Sequence, residues 1–298
     1  MNKLFRLLEA GVAILLSLPL AALPVKWSLK AGESLGLFVF KLWKSRRKIA
    51  IENLSKTISA GQIKSPDPAG QIIRENFRNF GRSFIEVIKI YYGFGRPLID
   101  SVVIEGVEHF QAAKSKGKGV LFITGHCGNW ELMALTTGLQ FSDVSIVARP
   151  IDNPYLNTFI ERVRGKYGNS IIYKKGALKP IMQALKKNHI VGILMDQAVL
   201  SSEGYVIDFL GRGAWTTKMP ALLARKTGAA VLPAFIHRTD NGHRMVIYPE
   251  VQLSVTEDME QAVKEDTITF SGYIEEYIKA HPAEWLWIHR RWKRVKEG

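Results

Sequence analysis

Residues 125–131 read GHCGNWE, directly after the apolar run GVLFIT, and set an imidazole (His126) and a carboxylate (Glu131) five positions apart. On one continuous helix five residues turn the side-chain direction by about 140°. Both groups can therefore meet one substrate only if His126 sits in a turn and Glu131 in the first turn of a helix beginning near Asn129. The glycines at 125 and 128 make such a turn available. A neutral imidazole takes the proton of an attacking hydroxyl, and a carboxylate that accepts the other ring N–H fixes the tautomer and steadies the imidazolium. His126 is read as the base and Glu131 as the group that orients it, with N–H groups at the helix start available to an oxyanion. Asn129 is first of all the helix N-cap, and a site residue second. Two other readings stay open: Glu131 can simply complement the helix dipole, and Cys127 can be a thiolate nucleophile beside its base. Against the second, neighbouring residues in an extended turn point apart, and a lone intracellular cysteine is ordinarily a small core residue.

The elements that must hold this heptapeptide alternate along the chain. From about residue 101 short β-branched runs (SVVIEG, GVLFIT, VSIVA, SIIY, IVGILMD, AAVLPAFI, RMVIYP) are separated by helix candidates near 107–116, 130–140, 153–168, 178–188 and 217–227. That alternation predicts an α/β fold with a largely parallel or mixed central sheet. Near-continuous apolar strands are buried on both faces, which leaves function to their carboxyl ends. Ahead of the sheet, apolar spacing predicts helical regions over 34–60 and 69–92, the second carrying Ile72, Ile73, Phe77, Phe80, Phe84, Val87, Ile88 and Tyr91. A linker around Ser65–Pro68 separates them.

The chain's 41 Lys and Arg against 27 Asp and Glu give a formal charge of +14, a surface that seeks anions: nucleic acid, anionic lipid or an acidic protein. One cysteine excludes an intramolecular disulfide, and no Cys/His cluster offers a structural zinc site. The run Ala10–Val25 is free of charge and reads as an uncleaved membrane anchor, although its 16 residues fall short of the roughly 20 a spanning helix needs. Pro19 and Pro24 also leave an interfacial or re-entrant segment open. A signal peptide is disfavoured because no clean cleavage site follows. Lys41, Lys44, Arg46, Arg47 and Lys48 outweigh Lys3 and Arg6, which puts the body of the protein in the cytoplasm. The expected organisation is an anchor over 1–30 and one catalytic domain over 31–298, helical to residue 98 and α/β beyond. At the C-terminus, Trp285, Trp287 and Trp292 stand among His289, Arg290, Arg291, Lys293 and Arg294, a pattern that fits a headgroup interface or, alternatively, core tryptophans with solvated cations.

Six segments in order, GHCGNWE, ARPIDNPYLN, ERVRGKYG, LMDQ, DFLGRGAWTT and HPAEWLWIHRRWKR, resemble the lipid A biosynthesis acyltransferase family, the late-acting lauroyl and myristoyl transferases. The resemblance implies a fold like glycerol-3-phosphate acyltransferase, a mixed β-sheet flanked by helices with an N-terminal membrane-anchoring helix at the cytoplasmic face of the inner membrane. It implies no metal or organic cofactor, and as partners an acyl carrier protein, a lipid A precursor and the membrane, with no nucleic acid. His126 and Glu131 match the family's catalytic pair. Arg149, Arg164, Asp196, Asn129 and Gln197 are then substrate-binding candidates: the arginines for a phosphate or the thioester end of the donor, and Asp196, at the carboxyl end of a strand, for hydrogen bonds to acceptor or catalytic groups. The motif also occurs in phosphatidylinositol mannoside acyltransferases, which leaves the acceptor more open than the reaction. A basic nucleic-acid-binding protein and a hydrolase using Cys127 or a metal are the readings from other classes.

Overall fold

A computed structural model describes residues 3–293 and 295; Arg294 lies outside the described residues. Five helices precede the first strand: α1 (Lys3–Ala22), α2 (Val25–Leu42), α3 (Lys44–Ser59), α4 (Ala69–Tyr91) and the short α5 (Arg96–Asp100). The uncharged run does not form one rod. Pro24 lacks an N–H and disfavours helical backbone at the residue before it, so α1 stops at Ala22 and α2 starts with Pro24 as its N-cap, whereas Pro19 is accommodated inside α1. Among the described residues no helix is long and apolar enough to cross a membrane. The helical region expected over 34–60 is two helices, broken at Trp43, whose ψ of 59° is not helical. Helix α4 buries Ile72, Ile73, Phe77, Ile85 and Ile88, but Phe84 is turned out and half exposed. Helices α2 and α4 touch backbone to backbone: a Cβ on Gly81 would lie 2.0 Å from the Gly32 carbonyl oxygen, so only glycine fits there.

The rest of the chain alternates as β1 (Val102–Glu105), α6 (Val107–Ser115), β2 (Val120–Thr124), α7 (Trp130–Phe141), β3 (Val144–Ala148), α8 (Pro154–Gly165), β4 (Ser170–Tyr173), α9 (Leu178–Lys186) and β5 (Ile190–Leu194). It continues with β6 (Gly204–Phe209), β7 (Arg212–Thr217), α10 (Met219–Thr227), β8 (Ala230–Thr239), β9 (Gly242–Ile247) and α11 (Met259–Ala280). Seven strands form a mixed sheet in the order β1-β9-β8-β2-β5-β3-β4, parallel throughout except for the β8–β9 pair. This is the flanked α/β sheet that the alternating runs predict, with one departure: DFLGRGAWTT belongs to a separate antiparallel hairpin, β6–β7, turned by Leu210 and Gly211, both at positive φ. Alternation along β2 and β5 splits the core. Leu121, Ile123, Val191 and Ile193 face α9, α10 and α11, while Val120, Phe122 and Ile190 face α6 and α7. Both faces are covered, so β2 and β5 deliver their carboxyl ends, Thr124 and Leu194, side by side.

The C-terminal tryptophans are core residues. Trp285 and Trp287 are fully buried, Trp292 nearly so, and Arg291 is buried with its guanidinium over the Phe209 ring and donating to the Trp215 carbonyl and the Thr216 hydroxyl. The headgroup-interface reading therefore fails for these side chains; among the described residues of that segment only Arg290 and Lys293 are exposed.

Candidate active site

The chain leaves β2 at Thr124, turns through Gly125–Gly128 and enters α7 at Trp130. Gly128 has φ +55°, and a Cβ there would lie 1.9 Å from the Ile236 carbonyl oxygen, so the turn needs glycine. Asn129 caps α7, its Oδ1 accepting from the Leu132 N–H at 3.1 Å. The turn thus puts His126 ahead of the helix and Glu131 in its first turn, as the spacing requires.

The carboxylate on the imidazole is Asp196 rather than Glu131. Asp196 follows β5, next to β2, and its Oδ1 lies 2.7 Å from His126 Nδ1 while its Oδ2 accepts from the His126 backbone N–H at 2.9 Å. Trp285 Nε1 donates to the same Oδ2 at 2.8 Å. Burial works against the Asp196 charge, but the His126 charge and these three donors outweigh it and hold the carboxyl well below the usual carboxylate range. On the other side of the ring, Gln197 Nε2 lies 3.2 Å from His126 Nε2. An amide donor on Nε2 and a carboxylate on Nδ1 together select the tautomer with the proton on Nδ1 and a lone pair on Nε2, the form that can act as a base. The Trp130 ring stands edge-on to the imidazole at 5.2 Å.

Glu131 is engaged elsewhere. Arg164, from the last turn of α8, grips it with two donors, Nε at 2.9 Å to Oε2 and Nη2 to Oε1. The contact with the imidazole expected of Glu131 is therefore made by Asp196, because strand β5 brings Asp196 beneath the ring whereas the helix directs Glu131 toward α8. Two further candidates are engaged inside the protein. Asp196 is 2% exposed and sits behind His126, so of the two kinds of partner expected for it, acceptor or catalytic groups, it meets the second: His126, with Trp285 on the same carboxylate. Asn129 is buried as well: its Nδ2 donates to Glu86 at 2.8 Å, and Glu86 is held in turn by a two-pronged contact from Arg238 at 2.6 and 2.8 Å. Arg149 stands at the rim, largely exposed, 3.1 Å from Asp152. Cys127 is buried in the opposite core cluster, and burial, with the Asp196 and Glu284 charges, pushes its thiol well above the ordinary value. It is a core residue and not a thiolate.

The C-terminal segment closes over the turn from outside. The Gly128 N–H donates to the Glu284 carbonyl at 2.8 Å and the Leu286 N–H to the His126 carbonyl at 3.1 Å. With the Trp285–Asp196 bond, this segment holds His126 and its carboxylate together. No local signal announced it, since Trp285 and Asp196 are 89 positions apart.

His126, Trp130, Glu131, Arg149, Arg164 and Gln197 line the mouth of a cavity of about 410 Å³ that runs inward between α7 and the sheet. Its inner wall is mostly apolar: Met133 and Ala134 from α7, Phe122 from β2, Val144 and Ile146 from β3, and Ile190 from β5, with the Thr137 hydroxyl turned back onto the Met133 carbonyl. Among the described residues no group of three or more His, Cys, Asp or Glu is arranged to hold a metal ion.

An imidazole paired with a buried carboxylate at the open end of a largely apolar cavity, set at the carboxyl edge of an α/β sheet, has the form of an enzyme site. Sequence comparison gives the particular group: the bacterial lipid A biosynthesis acyltransferase family matches residues 3–294, and the chain belongs to it and is an O-acyltransferase. It is 25% identical over 291 residues to a lipid A biosynthesis lauroyltransferase of Escherichia coli (strain K12), covering 97% of this chain and 92% of that protein. A lipid A biosynthesis palmitoleoyltransferase of the same strain is 26% identical, covering 90% and 85%. A phosphatidylinositol mannoside acyltransferase of Mycobacterium tuberculosis (strain ATCC 25618 / H37Rv) is 25% identical, covering 81% and 75%. This membership argues against the nucleic-acid-binding alternative.

Proposed function

We propose that this enzyme transfers a fatty acyl chain from an acyl carrier protein thioester to a hydroxyl of a lipid A precursor, at the cytoplasmic face of the inner membrane. The observation that carries the reading is the position of His126, with Nδ1 on a buried carboxylate and Nε2 toward the mouth of an apolar cavity. The acceptor hydroxyl displaces the Gln197 amide from Nε2 and gives up its proton there, while its oxygen attacks the thioester carbonyl carbon. The backbone N–H groups of Trp130 and Glu131, in the first turn of α7 where no helical carbonyl precedes them, steady the tetrahedral oxyanion. Collapse breaks the C–S bond, and the leaving thiolate takes the proton back from His126. Asp196 stabilises the imidazolium between the two transfers.

The Glu131–Arg164 pair flanks this path. With Nε and Nη2 on Glu131, the Arg164 fork is fixed in direction, and Nη1 remains for a phosphate or carbonyl oxygen of a substrate. Arg149 at the rim serves the same anionic groups. The basic surface suits both an acidic carrier protein and an acidic lipid. An interfacial membrane seat is supported by α2, which exposes Trp27, Phe38 and Leu42 within about 60° of arc, and carries Lys26, Lys30 and Lys41.

The likeness to phosphatidylinositol mannoside acyltransferases supports a second acceptor, a mannosylated inositol lipid. One experiment separates the two. Membranes containing the protein are given acyl carrier proteins loaded with a range of chain lengths, together with either a tetra-acylated lipid A precursor or a mannosylated inositol lipid, and product masses are read. A mass gain of one acyl chain on the lipid A precursor, lost with His126→Ala, is the expected result. No gain with any donor removes the lipid A assignment, and gain on the inositol lipid alone selects the second acceptor.

A further inference from the structure

We propose that Gly192 sets the length of the acyl chain this enzyme accepts, by leaving a side-chain-sized gap in the sheet that forms the wall of the cavity. The inference rests on the reading above that the cavity receives the acyl chain of the donor.

Gly192 is the middle residue of β5, hydrogen-bonded between β2 and β3 in the centre of the sheet. Such a position ordinarily carries a branched aliphatic side chain, and glycine weakens a strand by its entropy and its lack of packing. The backbone gives no reason for glycine: Gly192 is not at positive φ. Close approach gives none either, because a Cβ placed on it would meet nothing within 4 Å. What Gly192 provides is therefore space.

Alternation places that space in the cavity. Ile190, Gly192 and Leu194 share one face of β5 and all line it. The register sets Gly192 level with Phe122 on β2 and Ile146 on β3, so the row across the sheet reads aromatic, nothing, branched. One row toward the mouth lie Thr124 and Leu194, and one row deeper Ile190 stands level with Val120 and Val144, all buried. From the level of Leu194 to that of Ile190 is about 13 Å along the strand. An apolar chain entering past His126 runs over the gap at Gly192 and ends against Ile190 and Val144. A side chain at 192 would move that end one row toward the mouth, while a smaller residue at 190 would move it inward.

The test measures kcat/KM for the full-length enzyme with a graded series of saturated acyl donors, from short to long, in wild type and in Gly192→Ala, Gly192→Val, Gly192→Leu and Ile190→Ala. Thermal unfolding of each variant identifies those that fold. The expected result is a preferred length that shortens progressively from Ala to Leu at 192. The longest good donor should lose about tenfold or more, while the shortest donors stay within about threefold of wild type; Ile190→Ala should shift the preference to longer chains. Gly192→Ala places a single methyl in open space and keeps the test readable if the larger variants unfold. An unchanged length profile in folded Gly192→Val or Gly192→Leu, or an equal loss at every length, overturns the assignment to Gly192. A wild-type enzyme that transfers no chain of any length removes the donor reading beneath it, an outcome separate from the first.

Discussion

Replacing Asp196 by Asn tests the chemistry most directly, because it keeps the shape and removes the charge. The carboxylate oxygen lies 2.7 Å from His126 Nδ1, and because the imidazolium charge is shared over the ring, the charge centres are about 4 Å apart. Opposite charges at about 4 Å attract by about 4 kcal/mol at an effective dielectric of about 20. With about 1.4 kcal/mol per factor of ten, kcat should fall on the order of 10³-fold. A second effect acts in the same direction: an amide that donates to Nδ1 instead of accepting drives the ring to the tautomer with its proton on Nε2, which cannot act as a base. Stability should fall by about 1–2 kcal/mol, as the Trp285 and His126 backbone donors lose an ionised acceptor. Because the Asp196 carboxyl is held below the usual range, its charge is present at every pH above the ordinary carboxylate value and its stabilisation is lost only below it. Titration of Asp196 itself should therefore add no pH dependence to the rate loss above the ordinary carboxylate range. The assay is single-turnover acyl transfer by the purified enzyme, with thermal unfolding measured in parallel. A folded Asp196→Asn enzyme with kcat within tenfold of wild type would falsify the pairing of His126 with Asp196 as the working base.

Glu131→Gln and Arg164→Gln should each depress kcat/KM, and their double mutant should lose less than the product of the two, a coupling of roughly 0.5–3 kcal/mol in a double-mutant cycle; strict additivity would show that the pair does not act as a unit. Glu86 has its carboxyl drawn from 4.5 down to about 2, burial being outweighed by His243 and Arg238. Its stabilisation is thus complete above about pH 4.5 and lost as pH falls toward about 2. Glu86→Gln should lower stability at neutral pH by about 3–5 kcal/mol, by stranding Arg238, and flatten acid unfolding in that window, both read from denaturant titrations across pH. Arg149→Ala should raise KM several-fold, more at low salt than high, with no change in Tm, since the side chain is exposed; a changed Tm would assign it a structural role. Cys127→Ala should keep acyl transfer, with or without a chelator, and cost about 1–2 kcal/mol as a small core truncation; loss of activity in a folded variant would return Cys127 to the chemistry.

Much of the arrangement was legible because its causes are local. The β-branched runs and helical spacings identify the α/β sheet, and GHCGNWE specifies a strand, a glycine turn, a capped helix, and a base ahead of it. The tryptophan-rich tail misled for a physical reason: Trp and Arg are amphipathic, and the same residues suit a headgroup interface or a core in which Arg291 is satisfied by carbonyl, hydroxyl and ring. The DFLGRGAWTT hairpin escaped because its apolar run is only three residues long, 205–207, and its second strand, Arg212–Thr217, has none that long.

The identity of the carboxylate on His126 could not be read along the chain. Sequence supplied three acids and bases, His126 and Asp196 just past strand ends and Glu131 at a helix start, each in a segment whose local structure it also dictated. Which two touch depends on β5 lying beside β2 in register, so that Asp196 emerges beneath the turn, and on α8 delivering Arg164 to Glu131. Strand order is fixed by which apolar faces pack together across the whole molecule, and hydrogen bonds between residues 70 positions apart follow from it. Periodicity determines the elements and the residues they carry; only their packing determines the pairs.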